Sequence, residues 1–149
     1  MSFKQSVYDG FVALLNQKIA ALQNDLTELK ASIENETKSS VGDKYETARA
    51  IMQTRQAQVN QQLADAYTQK AVLDAMDVQA KPIVVCKGSL VKTNRGYFFI
   101  SIALGKIEVH GTQVFSLSPQ SPLGGKFSGL AVGNQATINN ITYVIEEIV

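Results

Sequence analysis

Two stretches of helical periodicity, separated by one short polar break from Thr37 to Asp43, take up more than half of this 149-residue chain. From Tyr8 onward, Phe11, Leu15, Ile19, Leu22, Leu26, Leu29 and Ile33 return every three or four residues, the spacing that puts side chains on one face of an α-helix. After the break, Tyr45, Ala48, Met52, Val59, Leu63, Ala66 and Leu73 do the same, with Arg55 and Lys70 as weak positions in the stripe. The residues between are mostly Gln, Asn, Lys, Asp and Thr. A stripe this narrow needs one partner helix, and a break this short makes that partner the chain's own second helix, folded back antiparallel as in a two-stranded coiled coil. An arm of about 30 residues rises roughly 45 Å, more than a domain of this size needs for its own core.

The period changes at Lys81-Pro82. Proline disfavours helix for the residue before it and removes a backbone donor, so the second helix is expected to stop between Val78 and Lys81. Beyond it lie short runs rich in Val, Ile, Phe and Tyr: 83–86, 89–93, 97–103, 106–109, 113–117, 135–138 and 142–148. Turn residues part them, among them Asn94-Arg95-Gly96, Gly105, His110-Gly111, Gly133-Asn134 and Asn139-Asn140. This pattern predicts a small antiparallel sheet. Pro119 to Leu130 reads as a loop holding one short helix near Leu123 to Phe127. Alternation within Tyr97-Phe98-Phe99-Ile100 assigns Phe98 and Ile100 to the core, and Tyr97 and Phe99 to a second layer or the base of the hairpin. The fold class is α+β, with the hairpin in residues 1–80, its tip near 37–46, and the sheet domain in 81–149.

Charge and composition exclude several roles. With 14 basic and 13 acidic residues the chain is nearly neutral, which gives it no general grip on nucleic acid or an anionic membrane. Residues 1–81 hold nine basic and ten acidic groups, and residues 82–149 hold five and three. The lone Cys86 reads as a small buried strand residue in a reducing compartment. There is no apolar run of about 18 residues and no basic-then-apolar leader, so a soluble cytoplasmic protein is expected. His110 lacks a neighbouring acid, Cys or second His and reads as a turn residue; Gly124-Gly125-Lys126 lacks the spacing of a phosphate-binding loop.

Ser121-Pro122-Leu123-Gly124, then Phe127-Ser128-Gly129-Leu130-Ala131-Val132-Gly133-Asn134, then Thr142-Tyr143-Val144-Ile145-Glu146-Glu147-Ile148 resembles, in order and approximate spacing, the C-terminal domain of the bacterial Gre transcript-cleavage factors. Asn134 stands where that family usually has Asp. The resemblance covers nearly the whole chain. It implies a coiled-coil hairpin joined to an FKBP-like domain that docks on RNA polymerase beside its secondary channel, with Ser121 and Pro122 at the docking face and the hairpin in the channel. FKBP-like folds also raise prolyl isomerase activity, but fold alone is a poor warrant, and the related Gre domain is a docking module.

At the tip, Gly42-Asp43-Lys44-Tyr45-Glu46-Thr47-Ala48-Arg49 matches both ends of the Gre tip motif, although the stretch between Asp43 and Tyr45 is several residues shorter. The resemblance maps Asp43 onto the family's first tip acid, and Glu46 is the nearest stand-in for the second. It implies that these acids help coordinate a Mg²⁺ shared with RNA polymerase, the protein having no cofactor and no catalytic centre of its own. A local reading uses the same residues: Asp43 as helix N-cap and Glu46 as the reciprocal member of a capping box three residues on. Glu34 and Glu36, near the end of the first helix where negative charge is mildly unfavourable, favour a cation outside the chain, while Lys38 and Lys44 favour a screened, solvated loop. Three functions stay open: a cleavage-stimulating elongation factor, a protein that occupies the channel without promoting cleavage, and a coiled-coil interaction protein unrelated to polymerase. A monomer is expected, with dimerisation through the seam as the alternative.

Overall fold

A computed structural model describes the backbone of residues 2–38 and 43–149, and the side chains of all of these except 36–38 and 43–45. The helical periodicity becomes α1 (Phe3–Lys38) and α2 (Asp43–Asp74), an antiparallel hairpin. The chain divides into two compact units, one made of residues 15–69 and the other of residues 1–14 with 70–149.

In the unit of residues 15–69, Leu15, Ile19, Leu22, Val59, Leu63 and Ala66 are buried. Each such Leu or Val removed from water contributes on the order of 1.5–3 kcal/mol. Gln23 Nε2 donates to Tyr67 Oη at 2.6 Å, adding a polar tie between the helices. Leu26, Leu29, Ile33, Ala48 and Met52 are half-buried, so the seam is looser toward the break. Arg55 is exposed and is not a seam residue. Gln56 is the half-buried one: it lies four residues after Met52 and three before Val59, and so keeps the heptad spacing that Arg55 would break.

α2 ends at Asp74, short of the expected Val78 to Lys81. Turn chemistry explains the early stop: Met76 N bonds Leu73 O at 3.1 Å, and the Asp77 carboxylate accepts from Gln79 N at 2.9 Å, an Asx turn that competes with the helix.

The second unit holds β1 (Leu90–Thr93), β2 (Gly96–Ile100), β3 (Gly105–Val109), β4 (Thr112–Leu117), α3 (Pro122–Phe127), β5 (Gln135–Ile138) and β6 (Ile141–Ile148). Six strands lie in the order β3-β4-β2-β1-β6-β5. The sheet is mixed and not purely antiparallel, because β2 and β4 run parallel, with Phe98 beside Phe115 and Ile100 beside Leu117. β3 is the cause: the chain leaves β2, forms β3 at the outer edge, and returns as β4 between β3 and β2. Ser101 N bonding Leu117 O at 2.7 Å and Ser101 Oγ within 2.9 Å of Ser116 Oγ hold that return in place. His110 (φ 51°) and Gly111 (φ 78°) make the two-residue turn between β3 and β4, where left-handed backbone suits the strand twist.

Alternation along β2 supplies both faces of the sheet. Phe98 and Ile100 join Val85, Val91, Phe127, Ala136 and Ile145 in the core beneath α3. Tyr97 and Phe99 face the first turns of α1: Phe99 stacks on Phe11, and Tyr97 meets Phe3 at 5.2 Å between ring centroids. Tyr8 Oη donates to Leu73 O at 2.7 Å and Lys4 Nζ to Ala80 O at 3.0 Å, binding the start of α1 to the end of α2 and the segment after it.

The run 83–86 is not a strand. Val85 alone turns inward, bonding Leu130 O through its N–H and Gly129 N–H through its carbonyl. Ile83, Val84 and Cys86 are exposed, which corrects the reading of Cys86 as buried. Among the described residues, no helix is long and apolar enough to cross a membrane.

Candidate functional site

Ser121 and Pro122 sit where their chemistry starts a helix. Ser121 has extended backbone (φ −69°, ψ 158°), and its Oγ accepts from Gly124 N at 3.0 Å while donating to Ser118 O at 2.7 Å. Pro122 occupies the first turn of α3, where its missing N–H costs nothing and its fixed φ is already helical. It is exposed. Gly124 is there for space: a Cβ at that position would lie 2.0 Å from the Ser118 carbonyl oxygen. Ser128 closes the helix, its N–H and Oγ both donating to Gly124 O, at 3.1 and 2.8 Å. The Ser-Pro-Leu-Gly sequence is therefore one interlocked cap, with Pro122 as its outward-facing member.

The segment after α3 is equally determined. Asn134 N bonds Ala131 O at 3.0 Å, and Asn134 Oδ1 accepts from Ala131 N at 2.8 Å. Gly133, at φ 91°, takes the position of this turn that calls for left-handed backbone. The Asn134 amide oxygen is the acceptor this turn requires. Gly133 N to Ile145 O at 2.8 Å and Ile145 N to Asn134 O at 2.9 Å then tie the turn to β6.

At the other end of the chain's long hairpin, α2 begins at Asp43, whose side chain lies outside the described ones, as do those of Glu36, Lys38, Lys44 and Tyr45; Gly42 lies outside the described residues altogether. The proposed pairing of Asp43 with Glu46, in a cap or on a metal, therefore falls outside the described side chains. Glu46 is exposed in the first turn of α2 and Glu34 is exposed near the end of α1. Among the described residues no group of three His, Cys, Asp or Glu side chains could hold a metal. Glu46 presents an exposed carboxylate.

Sequence patterning did not single out Lys4. It is 6 % exposed, and burial holds its ammonium below the ordinary value of 10.5, with Cys86 and Asp77 pulling it back in part. It lines a crevice of about 180 Å³ with Asp77, Lys81, Cys86 and Lys87. His110 stays a turn residue, its Nε2 3.4 Å from Ser6 Oγ.

No protein-family model matches the chain, and no curated protein matches it. Solved structures do match it, among them the following one. That structure, described as "Structure of the transcription factor Gfh1", covers 96% of this chain and 93% of its own at 15% sequence identity and a TM-score of 0.36. The likeness is too slight to bear on function.

Proposed function

We propose that the chain is a Gre-like transcription elongation factor. It docks on RNA polymerase through its sheet domain, inserts its helical hairpin into the secondary channel and stimulates the polymerase's own cleavage of backtracked RNA. The observation that carries this reading is the segment from Ser121 to Asn134. The residues by which it resembles Gre factors are the ones with a definite local task, namely the Ser121 cap, the Gly124 close approach and the Gly133-Asn134 turn. That conjunction, behind a two-helix hairpin, supports a common architecture more strongly than any single motif. Pro122 faces solvent and is free to meet a partner.

In this reading Asp43 and Glu46 contribute carboxylate oxygens, the ligands a hard cation prefers, to a Mg²⁺ shared with polymerase. Their part is to present charge and to orient the attacking water; the bond-breaking centre belongs to polymerase. A second reading keeps the architecture and drops the cleavage. It is favoured by the short stretch between Asp43 and Tyr45, which leaves less room for a second acid than the Gre tip has.

Stalled, backtracked elongation complexes mixed with the wild type, Asp43→Asn and Glu46→Gln test both. Transcript shortening by the wild type, lost in Asp43→Asn at unchanged melting temperature, is the expected result. Binding without shortening selects the channel-occupying reading, and absence of binding removes polymerase as the partner.

A further inference from the structure

We infer that the cleft between the first turn of α1 and the sheet is a binding site for a free α-amino acid with an apolar side chain, Lys92 holding its carboxylate and Glu147 its ammonium group. The register of three adjacent strands builds the floor. Lys92 of β1 lies opposite Tyr97 of β2 on one side and opposite Glu147 of β6 on the other. Residues paired across antiparallel strands point to the same face, so Tyr97, Lys92 and Glu147 form one row across the sheet. Leu90, two residues before Lys92, lies opposite Phe99 and exchanges both backbone hydrogen bonds with Val149, each at 2.9 Å. Phe99, Leu90 and Val149 are therefore the next row, on the same face and about 7 Å away. One row is polar and charged, the other apolar. Phe3 covers them from α1, its ring centroid 5.2 Å from that of Tyr97.

The space between them is a cavity of about 230 Å³, lined by Phe3, Leu90, Lys92, Tyr97, Glu147 and Val149 among others, all in the unit of residues 1–14 and 70–149. It falls below the roughly 300–1,000 Å³ that takes drug-sized ligands, which limits the occupant to something of amino-acid size and excludes a nucleotide. Lys4 also lines the cavity, but its Nζ is committed to Ala80 O at 3.0 Å, which leaves Lys92 as the cation to meet a ligand. Leu90 and Phe3 are buried and half-buried while Glu147 is exposed, so the mouth lies on the charged row and the apolar end lies inside. Among the described residues, no hydrogen bond or ion pair joins the side chains of Lys92 and Glu147, although they are cross-strand neighbours. A free α-amino acid carries its carboxylate and its ammonium on one carbon, the arrangement that a cation and a carboxylate side by side receive, and its side chain then lies over Leu90 toward Phe3. A simple anion would face Glu147 and a simple cation would face Lys92, so the pair selects the zwitterion against both. The interior of a peptide carries neither charge and is selected against as well. This site stands apart from the polymerase reading and does not depend on it.

Amide chemical shifts of the isotope-labelled, full-length protein titrated with L-phenylalanine and with L-leucine test it. Saturable shifts at Leu90, Lys92 and Tyr97 are expected with at least one of the two. For L-phenylalanine, the analogues phenylpropanoate, which lacks the ammonium, and phenylethylamine, which lacks the carboxylate, are each expected to bind about ten-fold more weakly, the loss of one charged hydrogen bond. Lys92→Met and Glu147→Gln are expected to weaken amino-acid binding by a similar factor at unchanged melting temperature. Glu147→Gln keeps the shape of an exposed side chain and carries the test should Lys92→Met melt early. Absence of saturable shifts with both amino acids, or shifts confined to residues away from the cleft, overturns the site. Undiminished binding of phenylpropanoate, or of the amino acid by Glu147→Gln, overturns the assignment of a zwitterion and the proposal with it.

Discussion

The ring of Phe99 lies stacked on that of Phe11, with centroids 5.9 Å apart and planes 16° from parallel, and both side chains are fully buried. One belongs to the middle of the sheet, the other to the first turns of a helix more than eighty residues earlier in the chain. Truncating either leaves a large cavity beside a ring that cannot move far. Phe11→Ala and Phe99→Ala should each cost roughly 3–5 kcal/mol. The double variant should lose less than the sum, by about 0.5–1.5 kcal/mol, because the stacked pair can be broken once only. Urea unfolding of the three variants measures this; strict additivity would show that the rings do not support one another.

Gly124 and Gly10 look alike in the sequence and should behave oppositely. A Cβ at Gly124 would meet a backbone oxygen, which has nowhere to go, whereas a Cβ at Gly10 would meet the end of the flexible Ile107 side chain at 2.6 Å. Gly124→Ala should destabilise by more than about 2 kcal/mol through strain in the cap. Gly10→Ala regains about 1 kcal/mol of helix propensity and should come out near neutral once Ile107 shifts. Melting curves of the two variants separate them directly.

Ser121 and Pro122 differ in how their loss should be read. Ser121→Ala removes the acceptor for Gly124 N and should cost about 1 kcal/mol of stability. Pro122→Ala touches an exposed ring and should stay within about 0.5 kcal/mol. A polymerase-binding defect in Pro122→Ala with unchanged melting would then mark a docking contact, while one in Ser121→Ala must first be corrected for the damaged cap.

Two ionisable groups near the start of α1 give stability opposite slopes in alkali. Burial lowers Lys4 below 10.5, so between its folded value and 10.5 the unfolded chain holds more protons than the native one and stability rises with pH. Burial, then Asp74, then Asp9, raise Tyr8 above 10.0; its contribution is present below 10.0 and lost as pH climbs through the folded value. Lys4→Met should abolish the rise and Tyr8→Phe the fall, read as urea midpoints across that range. Tyr8→Phe should also lose about 1 kcal/mol with the bond to Leu73 O.

Local patterns were legible in the residues themselves. The alternation through Tyr97-Phe98-Phe99-Ile100 assigned each side chain to its layer because successive strand residues must point to opposite faces. The heptad seam through Leu15, Ile19, Leu22, Val59 and Leu63 was legible for the same kind of reason. What escaped depends on partners distant in the chain or on polar turn chemistry. Strand direction leaves no trace in periodicity, so the parallel pairing of β2 with β4 was invisible until the return through Ser101 and Ser116 was seen. The end of α2 is decided by the Asp77 carboxylate rather than by Pro82. Ile83 to Cys86 has the composition of a buried strand, yet Val85 alone finds a place in the core. For the candidate site, Ser121 and Pro122 were singled out by resemblance as a docking face, whereas the part Ser121 plays as a helix cap came into view with its Oγ accepting from Gly124 N.

Because residues 1–14 pack with residues 70–149 as one compact unit, the sheet is not a detachable module that starts at Pro82. A fragment trimmed there would bare Leu90, Tyr97 and Phe99 together, a greasy plate ready to clump with its neighbours. Anyone wishing to swap the arm for another, in the laboratory or over generations of gene rearrangement, must cut inside both helices and leave their roots behind.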